Sequence, residues 1–150
     1  MSQSLVKNLV HLVFSTKFRE RILTDAVRSE LHRYMAGIFR DMDSPALAIN
    51  SVTDHVHILF CLSKNHAIAQ VVMEIKRGSS RWMKTQGPEF VLFRWQNGYG
   101  AFSVNYQGLE PVKAYIARQA SHHRMKTFQQ EYRGILRQYQ VDYDERYVWD

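Results

Sequence analysis

The sequence predicts an α+β domain of ferredoxin-like or RNA-recognition-motif-like type: a βαββαβ antiparallel sheet with an added strand and C-terminal helices. Three observations predict it. Short apolar runs of strand length alternate with longer stretches whose apolar residues recur every three to four positions. Turn signals at Ser44-Pro45, Gly87-Pro88 and Asn97-Gly98 separate these elements. No repeat, low-complexity tract or linker interrupts the order, so residues 1–150 read as one domain, long enough to bury a core.

Leu9 to Ser15 is apolar and β-branched enough for a first strand. Thr24 or Asp25 then caps a helix running to about Arg40, with Val27, Leu31, Tyr34 and Ile38 on one stripe. Leu47 to Thr53 and Val56 to Leu62 read as a hairpin. Ala67 to Lys84 is a second helix, ended by Gly87-Pro88. Phe90 to Trp95 and Tyr99 to Val104 read as strands around the Asn97-Gly98 turn. Glu110-Pro111 opens a third helix to about Ala120 or beyond, and Thr127 caps a last one carrying Phe128, Tyr132, Ile135, Leu136 and Tyr139. The helices are expected mostly on one face of the sheet.

Charge points to the partner. Lys and Arg outnumber Asp and Glu by 20 to 14, a formal net charge of +6, which favours an anionic partner, most simply nucleic acid. The basic residues crowd two stretches, Lys76, Arg77, Arg81 and Lys84, then Lys113, Arg118, Arg124 and Lys126. Asp142, Asp144, Glu145 and Asp150 make the C-terminal end acidic. That distribution suggests a positive face, although a solvated helix surface accounts equally well for any one of these residues. The polar start Met1-Ser2-Gln3-Ser4 carries no secretory signal, and the apolar runs are too short to cross a bilayer. With Cys61 the lone cysteine, no intrachain disulfide can form. A cytoplasmic protein without a membrane partner is expected.

The chemistry sits at Asp54-His55-Val56-His57-Ile58-Leu59-Phe60. Strand side chains alternate, so His55 and His57 project from one face while Val56, Ile58 and Phe60 pack the other. Two imidazoles on a rigid strand make half a metal site. Seven histidines make such a pair weak on its own. Asp54 is expected to serve the turn from the opposite face, and Cys61 to pack. In the third helix Tyr115 and Gln119 stand four apart and share a face. One offers a phenol able to attack phosphorus, the other an amide oxygen; simple packing of Tyr115 against the sheet is the plainer fate.

Taken together, His55-Val56-His57, the run from Trp95 to Val104, Tyr115-Ile116-Ala117-Arg118-Gln119 and Val13-Phe14-Ser15-Thr16-Lys17 resemble the single-tyrosine transposases of the HUH endonuclease superfamily. These mobilise simple bacterial insertion sequences through single-stranded DNA. The resemblance covers roughly residues 5 to 123 and implies no role for the chain from Arg124 onward. It implies that Tyr115 attacks a scissile phosphate and leaves a 5′-phosphotyrosine and a free 3′-hydroxyl. It also implies a divalent ion, Mg2+ or Mn2+, on His55, His57 and Gln119, and recognition of hairpin DNA at element ends. It further implies a homodimer in which the tyrosine helix of one subunit completes the site of the other, with Gly108 a joint ahead of that helix. Lys76, Arg77, Arg81, Lys84, Lys113 and Arg118 are the candidate DNA contacts. His122 and His123 are expected to face phosphate or solvent in preference to metal.

Two alternatives stay open. A domesticated descendant would cleave hairpin DNA without moving an element. A non-catalytic RNA-recognition-type module shares the element order, and Gly98-Tyr99-Gly100-Ala101-Phe102 is similar to its aromatic strand. Against it, Asn97 replaces the usual basic residue, and Tyr99 and Phe102, three apart, point to opposite strand faces.

Overall fold

In the computed structural model, which describes residues 2–123 and 125–150 without the side chain of His122, β1 (Leu9–Ser15) runs through the middle of the sheet. It pairs antiparallel with β3 (His55–Cys61) on one side and β4 (Gly100–Val104) on the other. Next to β3 lies β2 (Ala46–Ser51), giving the order β2-β3-β1-β4. This is the ferredoxin-like βαββαβ arrangement predicted from the element order.

Strand alternation divides the sheet into two chemically different faces. Val10, Leu12 and Phe14 of β1 and Val56, Ile58 and Phe60 of β3 join one apolar core with α1 (Asp25–Asp41) and α2 (Ile68–Met83). The helix α1 presents Val27, Leu31, Met35 and Phe39, each four residues after the last, and the Phe39 and Phe60 rings meet at 4.9 Å. The expected stripe through Tyr34 and Ile38 sits to one side of this line: Tyr34 is 40 % exposed and stacks on Trp82. Each large side chain buried here contributes about 1.5–3 kcal/mol of transfer free energy.

The opposite face carries Leu9, His11, Val13 and Ser15 of β1 together with His55 and His57. It is covered by α3 (Leu109–Ala117), α4 (Gln119–His122) and α5 (Phe128–Gln138). A capping box between Thr127 and Gln130 starts α5, whose Phe128, Tyr132, Ile135 and Leu136 pack on Val13 and Phe102. Asn50 of β2 donates to the Ile116 carbonyl at 2.8 Å and ties down the end of α3. Helices therefore lie on both faces, not mostly on one. The reason is that this face holds too many apolar groups beside its histidines to remain in water.

The added strand does not form. Residues 88–90 make a 3-10 turn, and only Trp95 bridges the sheet, against Thr16. Phe90, Phe93 and Trp95 are buried while Leu92 is 87 % exposed, a spacing that suits a looping segment better than a period-two strand. Trp95 anchors it by donating from Nε1 to Ser79 Oγ at 2.9 Å. Asn97-Gly98 makes no primed hairpin turn, which would need positive φ at both residues. Gly98 N donates instead to the Asp150 carbonyl at 2.9 Å. The acidic C-terminal end is folded back: Asp150 pairs with Lys17 and Glu145 with Arg133, and the Trp149 ring lies under Arg19 and Arg133. Among the described residues no helix is long and apolar enough to cross a membrane.

Candidate active site

His55 and His57 stand opposite Ser15 and Val13 in the β1–β3 register and are fully buried. One nitrogen of each ring is already committed. His55 Nδ1 donates to Asp54 Oδ1 at 2.7 Å, so Asp54 supports the ligand instead of merely serving the turn. Asp54 precedes the strand and escapes its alternation, which lets its carboxylate reach round to its neighbour's ring. His57 Nδ1 meets His11 Nε2 at 2.9 Å. Burial, reinforced by His57, lowers the His11 pKa to about 3. Burial also lowers the His57 pKa to about 4, against the opposing hydrogen bond to Glu131. At His55 burial opposes the charge, but the hydrogen bond to Asp54 and then Glu131 outweigh it and raise the pKa.

The free Nε2 atoms converge on a carboxylate. Glu131 of α5 places Oε1 at 3.2 Å from His55 Nε2, 2.9 Å from His57 Nε2 and 3.0 Å from His123 Nε2. Burial pushes the Glu131 pKa up, yet the surrounding imidazoles of His123, His55 and His57 prevail and hold it well below the usual carboxylate range. His123 thus faces the buried cluster, not phosphate or solvent; His122, assigned the same fate, has its side chain outside the described residues. The resemblance assigned no role to the segment from Arg124 onward. That segment supplies Glu131, which no sequence motif announced because its partners lie 74 and 76 residues earlier in the chain. His11 was equally silent: alone on an apolar strand, it signals nothing until β1 pairs with β3.

Tyr115 closes the site. Its ring centroid lies 5.7 Å from that of His57 and 6.1 Å from that of His11, and its phenol donates to Glu131 Oε2. Burial first, then Glu131, raises the phenol pKa above its ordinary value. Within this chain Tyr115 therefore lies against His57 and His11. Gln119 does not share a continuous helix with Tyr115, because α3 ends at Arg118, at φ −97° and ψ 19°. The break turns Gln119 inward. Its Nε2 faces the Tyr115 carbonyl at 3.5 Å, and its buried Oε1 has no hydrogen-bond partner among the described residues.

A divalent ion fits these residues. His55, His57, His123 and Glu131 offer donor atoms all within 4.8 Å of one another. Among the described residues His55 Nε2 and Gln119 Oε1 are both buried without a hydrogen bond, and unpaired buried polar atoms are rare unless an ion or water takes them up.

The basic residues of the described chain divide between the two layers; Arg124 lies outside the described residues. Lys113 and Arg118 belong to the layer over the active site. The residues of α2 belong to the other layer. There Lys76 donates to the carbonyls of Gln96, Asn97 and Gly98 at 2.6–3.1 Å, its three N–H groups taken up. Arg77 pairs with Glu74 at 2.8 Å, Lys84 donates to Ser80 at 3.0 Å, and Arg81 is exposed. Arg77, Arg94 and Tyr99 line an open groove of about 490 Å³ beside Trp95.

The model of the IS200-like transposase family matches residues 4–119. The chain belongs to that family. It is an enzyme of the tyrosine-transposase type, with Tyr115, His55, His57 and Gln119 all inside the matched residues. Two solved structures share the fold of this transposase. One, described as that of a candidate transposase from Deinococcus radiodurans R1, is 24 % identical, with TM-score 0.62, covering 79 % of this chain and 98 % of that one. The other, a REP-associated tyrosine transposase bound to a REP hairpin, is 17 % identical, with TM-score 0.60, covering 82 % of this chain and 74 % of that one. No curated protein matches the chain.

Proposed function

We propose that this transposase cuts and rejoins single-stranded DNA through Tyr115, with a divalent ion, Mg2+ or Mn2+, held by His55, His57 and Gln119. The observation that carries the reading is the phenol of Tyr115 set beside His57 and bonded to Glu131 at a buried donor cluster. Hairpin DNA at element ends is the substrate class, a reading supported by the hairpin-bound relative.

The Tyr115 oxygen forms a bond to the scissile phosphorus as the bond from phosphorus to the 3′-oxygen breaks. The products are a 5′-phosphotyrosine and a 3′-hydroxyl, and a later 3′-hydroxyl reverses the exchange and joins strands. A phenol with its pKa raised is a poor nucleophile until its proton leaves. Glu131 Oε2 aims that proton and orients the ring, and His57, kept neutral by burial, presents a lone pair instead of a positive charge. When bound, the divalent ion supplies positive charge to the non-bridging phosphate oxygens. Lys113 and Arg118, in the same layer, hold the flanking phosphates; Arg77, Arg81 and Lys84 hold a more distant part of the hairpin. Lys76 positions the loop of residues 96–98 and touches no phosphate. One chain supplies both nucleophile and His pair.

Single-stranded DNA from around the gene, incubated with the protein and Mn2+, tests this directly. A covalent protein–DNA band is expected from the wild type and none from Tyr115→Phe, whose DNA binding stays near wild type. An undiminished band in that variant removes Tyr115 from the mechanism.

A further inference from the structure

We propose that Glu131, on a helix beyond the family-matched residues, is a direct ligand of the divalent ion and couples that ion to the nucleophile. The inference deepens the metal-dependent reading above and rests on it. Three Nε2 atoms lie 2.9–3.2 Å from Glu131 Oε1. Ligands about 2.1–2.2 Å from a hard divalent ion and at right angles lie about 3.0–3.1 Å apart. The separations match the edges of such a coordination shell.

Hydrogen-bond accounting points the same way. Asp54 accepts from His55 Nδ1, and His55 Nε2 is buried 3.2 Å from Glu131 Oε1 with no well-aligned hydrogen-bond partner among the described residues. A cation at this point would take up that nitrogen, and a histidine whose far nitrogen is held by a carboxylate is the usual arrangement behind a metal ligand. The second oxygen of Glu131 accepts from the Tyr115 phenol. One carboxylate thus touches both the metal position and the attacking group. The C-terminal helix α5, packed on Val13 and Phe102, holds it there.

Equilibrium Mn2+ binding to the full-length chain, read from the electron paramagnetic resonance of free Mn2+, tests the assignment without reference to cleavage. The wild type is expected to bind one Mn2+ per chain. Glu131→Gln keeps the shape and removes the charge, and should weaken binding about 10- to 100-fold. Gln119→Ala should weaken it less. Glu131→Asp, which draws the carboxylate back by one methylene, should also bind more weakly than wild type; it decides the matter if far-UV circular dichroism shows the Gln variant unfolded. Wild-type binding matched within twofold by the folded Glu131 variants overturns the assignment while leaving metal-dependent cleavage intact. A wild type that binds no Mn2+ overturns both. A wild type that binds Mn2+ through Glu131 yet cleaves no DNA upholds the ligand and sinks only the nuclease reading.

Discussion

At the residue scale, the imidazoles of this site are oriented by partners on Nδ1 that turn Nε2 toward Glu131. Asp54 takes Nδ1 of His55 and His11 takes Nδ1 of His57. Asp54→Ala removes one of these supports without touching a ligand, so cleavage should fall about 10- to 100-fold with the fold retained. Single-turnover cleavage at saturating Mn2+ measures it, and an unchanged rate would return Asp54 to a turn role. A second histidine speaks to stability. His32, on α1, shares a hydrogen bond with Ser51 at 2.8 Å, and burial, then Arg28, lower its pKa from 6.5 to about 4. The unfolded chain therefore binds this proton more readily than the folded one. Stability from this group is whole above about pH 6.5 and drains away as pH falls toward about 4. Urea denaturation of wild type and His32→Gln across pH 4–7 should show a shallower acid loss in the variant. Parallel profiles would mean that His32 contributes nothing to it.

At the element scale, the site depends on how tightly α5 sits on the sheet. A Cβ at Gly100 of β4 would meet the Tyr132 ring at 2.7 Å, its hydroxyl at 2.6 Å and Phe102 at 2.9 Å. Tyr132 cannot swing clear, since it stacks on Phe128 and touches Trp149. Gly100→Ala must then push α5 outward, at a cost of about 1–3 kcal/mol. Because Glu131 rides on that helix, Mn2+ affinity should fall together with the urea midpoint. A destabilised variant with wild-type Mn2+ binding would separate α5 packing from the site. The break between α3 and α4 works on the same scale: it turns the amide of Gln119 inward, as the helix cap at Arg118 allows.

At the scale of the whole molecule, the distribution of charge and the cis arrangement of the site make separate claims. If Lys113, Arg118 and the α2 residues track phosphates, log affinity should fall linearly with log salt, by about 0.7 per neutralised phosphate on single strands. Arg118→Ala should flatten that slope and Lys76→Ala should not, since the Lys76 ammonium is occupied by three carbonyls. Equal flattening by both would restore Lys76 as a phosphate contact. Co-expressing Tyr115→Phe and His57→Ala chains tests the assembly. With nucleophile and His pair on one chain, no mixed species carries an intact site, so cleavage should stay absent. An adduct on the His57→Ala chain would show that subunits exchange their tyrosine helices.

Local chemistry was enough to read most elements and half of the site. Period-two alternation set the facing of His55 and His57, because neighbouring strand side chains must diverge wherever the strand lies. The cap at Thr127 and the apolar spacing of α1, α2 and α5 were equally legible, since capping and amphipathic burial act within a turn or two. Tertiary packing decided what depends on distant partners. It turned Phe90 to Trp95 into a loop, as burying Phe90, Phe93 and Trp95 outweighed strand pairing. It broke the nucleophile helix at Arg118 and sent Asp150 to the backbone of Gly98. Above all it brought Glu131 and His11 to the histidine pair, contacts whose geometry exists only once β1, β3 and α5 are packed. The sequence by itself determined which chemistry the strand and the tyrosine could perform; only the fold decided which carboxylate stands between them, because a ligand drawn from a separate helix leaves no spacing to read.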